Sequence, residues 1–373
     1  MTTASGIDDE TPAFAWAETV THTNGLLLVT IRPILLILGR LSAFSPNQMT
    51  TERLRTLLIG IDAACRPVLD QLAASGDVPT LTALFDDGVV GDLTSQVPPW
   101  TPSAWPSVYT GANPGRHGVF GFLGYDGYDW DVVNATDVRE WTLWELLDYH
   151  GLQSVVVNGP VTHPPPEIDG AVVPGYVAPE DPDCHPPGLL DEVRSAVGPY
   201  RVYGDTDHDS ANPTDYRELV EMRGRAFRYL LDEFDPHFGF VQFQQTDTVF
   251  HERPHDQAAI REVYRAVDDE VAAIVDDYDP EVVVVASDHG IGEYGGYEFR
   301  VNDYLRERGY VETRAGGSGM PSWGVAGVAF QRGERDAPDG PNGPVESALA
   351  AVSAVGVTSQ RVGAVLGRLG LRE

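Results

Sequence analysis

The chain contains no lysine: all 25 basic side chains are arginine, set against 56 acidic ones, for a formal net charge of −31. Without a basic stripe to neutralise a phosphate backbone, high-affinity binding of a nucleic-acid duplex is not expected. An acid-rich, lysine-free composition fits a cytoplasmic protein of an extreme halophile. Carboxylates repel one another there, and molar salt screens the repulsion. Cysteine is equally scarce. Cys65 and Cys184 stand outside any CxxC pair, which excludes a disulfide framework, a cysteine-based metal site and a cysteine-derived nucleophile. Long apolar runs are missing as well. The stretch from Gly25 to Arg40 falls short of the ~20 residues of a membrane span, and Arg32-Pro33 interrupts it. It has neither the basic flank nor the cleavage site of a signal peptide. A membrane partner is therefore not expected. Residues 1–48 read as a poorly ordered or spurious extension, with Met49 as the native start.

What is present alternates between strand and helix patterns. Thr56–Ile61, Val89–Gln96, Ser154–Asn158, Phe238–Phe243 and Glu281–Ser287 are apolar, mostly β-branched or aromatic runs of strand length. Helical patterns cover Pro67–Ala74, Pro79–Phe85, Thr101–Tyr109, Trp141–Tyr149, Thr214–Phe234, Asp256–Tyr278 and Asn302–Gly309. In Thr214–Phe234, Leu219, Met222, Phe227, Leu230 and Leu231 share one face. Gly159 to Pro187 is dense in proline and glycine and shows no regular period. It reads as a functional loop or small cap, assigned to 159–213. No repeat of 20–50 residues occurs. The expected fold is α/β, a mostly parallel sheet with helices on both faces, in a catalytic domain over 49–334. Residues 335–373 read as a linker and short C-terminal helices.

In such sheets the ligand site lies beyond the carboxyl ends of the strands. Asp62, Asp247, Asp288 and His289 all follow apolar strand patterns, and Thr101 stands immediately before Pro102 at a helix start. Mixed aspartate and histidine ligands suit Zn²⁺ or Mn²⁺ better than an all-oxygen cation site. Two such ions ~3.5–4 Å apart are a recurrent device for phosphoryl transfer. Asp247-x-x-x-His251 can place both side chains on one side of a helical turn. A hydroxyl at a helix N-terminus is well placed as a nucleophile toward phosphate. His117 reads as a structural histidine, Trp100 and Trp105 as core, and His163 as part of the loop.

From Leu57 to Gly309 the chain resembles the type I phosphodiesterase/nucleotide pyrophosphatase family of the alkaline phosphatase superfamily. The resemblance rests on Thr101 followed by Gly111, on Pro114-x-x-His117-Gly118, on Asp247-x-x-x-His251, and on Ser287-Asp288-His289-Gly290. It implies one divalent metal on Asp62, Thr101, Asp288 and His289 and a second on Asp247 and His251, zinc first and manganese next. It also implies that Thr101 attacks phosphorus in a small phosphoester substrate, a phosphodiester or nucleotide pyrophosphate, and that water hydrolyses the phospho-enzyme. The alternatives are a catalytically weak paralogue with a binding or regulatory role, or a hydrolase of phosphomonoester, phosphonate or sulfate esters. Two departures stand out. The family's asparagine donor after His-Gly corresponds to Phe122. The family's third histidine for the Asp247/His251 metal has no counterpart, since no histidine follows His289. The chain reads as truncated relative to the family, with His185, His208 and His255 as the remaining candidates for that ligand.

Overall fold

The computed structural model describes residues 24–31, 54–127, 129–204, 213–292 and 299–312. Seven strands form one sheet: β1 (Asn24–Ile31), β2 (Thr56–Ile61), β3 (Val89–Thr94), β6 (Ser154–Gly159), β7 (Gly170–Pro174), β8 (Phe238–Phe243) and β9 (Val282–Ala286). Their order across the sheet is β3-β1-β9-β2-β8-β6-β7. The five strands from β9 to β7 run parallel. β1 pairs antiparallel with both β3 and β9. β4 (Leu123–Asp126) and β5 (Asp129–Val132) make a separate two-stranded sheet.

Side chains alternate across the strands, so each strand feeds two cores. Leu57, Ile59 and Ile61 of β2, with Val241 and Phe243 of β8, pack toward α1 (Arg66–Ala74), α2 (Pro79–Asp87), α7 (Pro213–Phe234) and α9 (Gln257–Tyr278). Leu58, Val156, Val172 and Phe240 face the other way, onto Trp105 and Tyr109 of α3 (Thr101–Thr110) and Trp144 of α5 (Leu143–Tyr149). Burial on both faces explains why these strands are near-continuous apolar runs. The expected α/β sheet with helices on both faces is thus the observed one.

Two segments depart from expectation. Residues 24–31, assigned above to an extension, are a sheet strand between β3 and β9. Their apolar, partly β-branched pattern is that of a strand as much as of an anchor, and the run is too short to tell the two apart by period. Gly170–Pro174, inside the segment assigned to a cap, is a fully buried strand at the sheet edge. The proline and glycine around it are its stops. Gly170 is needed at its start, because a Cβ there would lie 1.9 Å from the Ser154 carbonyl oxygen and φ is +132°. The same segment also holds α6 (Leu189–Val197). His208, residues 1–23 and residues 335–373 lie outside the described residues.

The chain divides into two units, 1–124 with 133–292, and 125–132 with 293–373. All expected site residues belong to the first. In the second, Phe299, which precedes α10 (Val301–Glu307), makes a ring contact with Tyr304 of that helix. No described helix is long and apolar enough to cross a membrane.

Candidate active site

β2 lies between β8 and β9, so the segments leaving these three strands emerge side by side. Asp62 follows β2, Asp288 and His289 follow β9, and Asp247 lies in α8 (Gln245–Glu252), which starts two residues after β8. The turn after β2 is fastened to the end of β8. Asp62 N–H donates to the Phe243 carbonyl (3.1 Å), and the Thr246 hydroxyl donates to the Asp62 carbonyl (2.6 Å). Thr101 occupies the first helical position of α3, with Trp100 rather than Thr101 at the N-cap. Its hydroxyl is thereby free to turn toward the strand ends, where Oγ1 lies 3.2 Å from His289 Nε2.

His289 Nδ1 is 3.0 Å from the Gly290 carbonyl oxygen. A carbonyl only accepts, so Nδ1 carries the proton in the neutral ring and Nε2 presents a lone pair. That lone pair sits 3.5 Å from Asp62 Oδ1 and 3.3 Å from Asp288 Oδ2. Asp62 Oδ1, Asp247 Oδ1 and Asp288 Oδ2 are all buried without a hydrogen-bond partner. Ligand atoms of Asp62, Asp247 and His289 lie within 4.8 Å of one another. Burial, then repulsion from Asp288 and Asp247, holds the Asp62 carboxyl well above the usual carboxylate range. Burial and Asp247 do the same to Asp288. Buried carboxylate oxygens without hydrogen-bond partners, converging with an imidazole nitrogen, are the environment of a divalent cation, so the residues fit a metal centre.

His251 is one helical turn from Asp247, with Nε2 3.3 Å from Asp247 Oδ1. Its ring is exposed, and the Asp247 carboxylate raises its pKa. The three ligand atoms that lie within 4.8 Å of one another draw Asp247 from the second set named above and Asp62 and His289 from the first.

His117, the last residue of the short helix α4 (Pro114–His117), is fully buried. Its Nδ1 accepts from Val119 N–H, and its Nε2 lies 3.0 Å from Ser107 Oγ. Both bonds tie down a turn. His163 is half-buried in its loop and its pKa is lowered by burial. His185 Nε2 is 2.8 Å from the Ile168 carbonyl, and His255 is exposed. Trp105 is core, whereas Trp100 is 52 % exposed and so is not.

The site also includes residues that sequence reasoning passed over. Gln242 Nε2 donates to Asp62 Oδ2 (2.7 Å) and to Gln244 Oε1 (3.0 Å). Trp105 Nε1–H donates to the same Asp62 oxygen (2.8 Å). Asn158 Nδ2 donates to Gln242 Oε1 (2.7 Å) and to the Gln242 carbonyl (2.9 Å). The available signal was a polar residue inside an otherwise apolar strand, Gln242 in Phe-Val-Gln-Phe and Asn158 after three valines. A buried amide there needs partners.

The profile of the type I phosphodiesterase/nucleotide pyrophosphatase family matches residues 56–362. The chain belongs to that family. The match begins at β2 and runs past residue 334, where the sequence reading ended the catalytic domain. Among solved structures, the chain is similar to phosphonoacetate hydrolase from Sinorhizobium meliloti 1021 in complex with phosphonoacetate. The identity is 20%, the TM-score 0.50, and 69% of this chain and 62% of that chain are covered. The chain therefore spans less than two thirds of that neighbour's length. A wild-type alkaline phosphatase, PafA, is similar at 12% identity and TM-score 0.45, over 77% of this chain and 70% of that one. No match was found among curated proteins.

Proposed function

We propose that this family member is a metal-dependent hydrolase of phosphodiester or nucleotide pyrophosphate bonds, with Thr101 as nucleophile. The observation that carries the reading is the convergence of Thr101 Oγ1, His289 Nε2, Asp62 Oδ1 and Asp288 Oδ2 at the carboxyl ends of β2 and β9. Asp62, Thr101, Asp288 and His289 would hold one divalent ion, Asp247 and His251 a second, with zinc favoured over manganese by the donor set. When bound, such ions neutralise charge on the phosphoryl oxygens and favour the ionised hydroxyl.

The chain's own residues then divide the work. Thr101 loses its hydroxyl proton and forms an Oγ1–P bond as the P–O bond to the leaving alcohol or phosphate breaks. The leaving oxygen takes up a proton. Water then cleaves the threonine ester, returning the hydroxyl and releasing the phosphorylated product. Thr101, Asp62 and Asp288 are themselves buried, a water-poor setting in which charge interactions are strong. The lysine-free, acidic composition supports work in a salt-rich cytoplasm.

The test is hydrolysis of bis-p-nitrophenyl phosphate in molar KCl with Zn²⁺ or Mn²⁺, alongside p-nitrophenyl phosphate and phosphonoacetate. The expected result is metal-dependent turnover, fastest on the diester and lost in Thr101→Ala. Faster turnover of the monoester or the phosphonate would reassign the substrate. Folded protein with no turnover above the variant would favour a catalytically weak paralogue.

A further inference from the structure

Asp62 has two carboxylate oxygens in different circumstances. Oδ2 accepts from both Gln242 Nε2 and Trp105 Nε1, at 2.7 and 2.8 Å. Oδ1 is buried, has no hydrogen-bond partner, and faces His289 Nε2. Resting on the metal-centre reading above, we infer that Gln242 and Trp105 are positioning residues that saturate Asp62 Oδ2, so that Asp62 meets a cation through Oδ1 alone.

The neighbours of these two donors are arranged to keep them fixed. Gln242 spends both amide hydrogens, on Asp62 and on Gln244, while its carbonyl oxygen accepts from Asn158. Flipping the amide would place an oxygen against both carboxylate and Gln244 and a donor against Asn158 Nδ2, losing all three bonds. Asn158 reaches Gln242 because the β6–β7 register shifts between Val157 and Gly159, and φ of Asn158 is +62°. Asparagine tolerates that left-handed conformation better than a bulky or branched residue. On the other side, Trp105 lies over β2 where Gly60 leaves room: a Cβ at Gly60 would be 2.5 Å from Trp105 Cη2 and 3.1 Å from Gln242 Cγ. The ring also packs against Phe240. Asn158 on β6, Gln242 on β8 and Asp62 after β2 thus form one hydrogen-bonded row across three adjacent strands. The row ends on the oxygen that faces away from the gathered ligands.

Metal-ligating groups are commonly oriented by such outer partners, and losing one typically weakens metal binding ~10–100-fold. A one-oxygen carboxylate also keeps coordination number low, which suits a tetrahedral ion. The experiment measures Zn²⁺ affinity by competition with a chromophoric chelator, and the visible spectrum of the Co²⁺-loaded protein. Wild type is compared with Trp105→Phe, Gln242→Met and Asp62→Asn, with metal-free unfolding followed in parallel. Trp105→Phe keeps an aromatic ring and removes the N–H, so it stays informative if Gln242→Met folds poorly. The expected result is at least ~10-fold weaker Zn²⁺ binding in Trp105→Phe and Gln242→Met. Their Co²⁺ bands should lose intensity as Asp62 becomes free to bind through both oxygens and coordination rises. Affinity within twofold of wild type and an unchanged spectrum in both variants would overturn the inference while leaving the metal centre intact. Failure of wild type to bind Zn²⁺, or indifference of binding to Asp62→Asn, would instead overturn the metal-centre reading and the inference with it.

Discussion

Thr101 Oγ1 and His289 Nε2 lie 3.2 Å apart although 188 residues separate them in the chain. Because His289 Nδ1 is committed to the Gly290 carbonyl, the Thr101 hydroxyl is the donor and Nε2 the acceptor. Replacing Thr101 with Ser keeps an oxygen there, and replacing it with Ala does not. We predict measurable hydrolysis in Thr101→Ser and a fall of at least ~10³-fold in Thr101→Ala. Zn²⁺ binding in Thr101→Ala should weaken much less than turnover. Steady-state assays beside metal titrations check this, and equal activity in wild type and Thr101→Ala would remove Thr101 from the chemistry.

Asp62→Asn should separate stability from metal binding. With its pKa raised by burial and by its acidic neighbours, Asp62 favours the folded state when protonated. That contribution is present below the ordinary carboxylate pKa and is lost as pH rises through the raised folded value. At neutral pH with chelator present, Asp62→Asn should therefore unfold at a higher temperature than wild type. Divalent cation should raise the melting temperature of wild type more than that of Asp62→Asn. Chelator-treated and Zn²⁺-loaded melts of both proteins test it; parallel behaviour would show that buried repulsion is absent.

Gly60→Ala tests the seat of Trp105. The added methyl would meet the indole at 2.5 Å, deep in a packed face of the sheet. Overpacking of this kind costs ~1–3 kcal/mol. The displaced ring should also loosen its bond to Asp62. Denaturant unfolding should give a lower midpoint with an unchanged slope. A wild-type midpoint would mean that the ring shifts without penalty.

Helix α2 starts at Pro79 with no side-chain cap of its own, and Asp268 of α9 takes over that role. Its carboxylate accepts from Thr80 N–H (3.0 Å) and Leu81 N–H (2.8 Å). Removing it in Asp268→Ala leaves two helix-start donors without partners. The expected loss is ~2 kcal/mol, seen as a fall of several degrees in Tm at neutral pH. Unchanged thermal stability would mean that water serves these donors equally well.

Burial pushes the Cys184 thiol up to about 12. The thiolate is the reactive form, so the fraction available at pH 8 is very small in the folded protein. In a Cys65→Ser background, labelling of Cys184 by a disulfide reagent at pH 8 should be slow. It should become fast on unfolding. Rapid labelling of folded protein would show that the segment around Cys184 opens readily.

Much of the architecture was legible in the chain. β2 and β8 fall at their expected bounds, and β6 and β9 within a residue or two of theirs, because both sheet faces are buried and the runs are mostly apolar. Local patterning also located Asp62, Asp288 and His289 just past strand ends and Asp247 shortly after β8, because the apolar runs mark where those strands stop. β7 was less legible: Gly170–Pro174 is short and sits among the prolines and glycines that bound it. The strand at 24–31 was missed for a related reason, because its role depends on finding the free edge of β9.

The amino-acid sequence by itself determined the family, the alternation of strand and helix, and which carboxylates and imidazoles stand at the ends of strands. Those features are local, set by period, burial and motif spacing along a single segment. Tertiary structure alone decided that β2 lies between β8 and β9, that Thr101 faces His289, and that Asp62 turns one oxygen toward the gathered ligands while Gln242 and Trp105 hold the other. Those relationships join segments up to 227 residues apart, Asp62 to His289. They follow from strand order and side-chain packing, which no local pattern encodes.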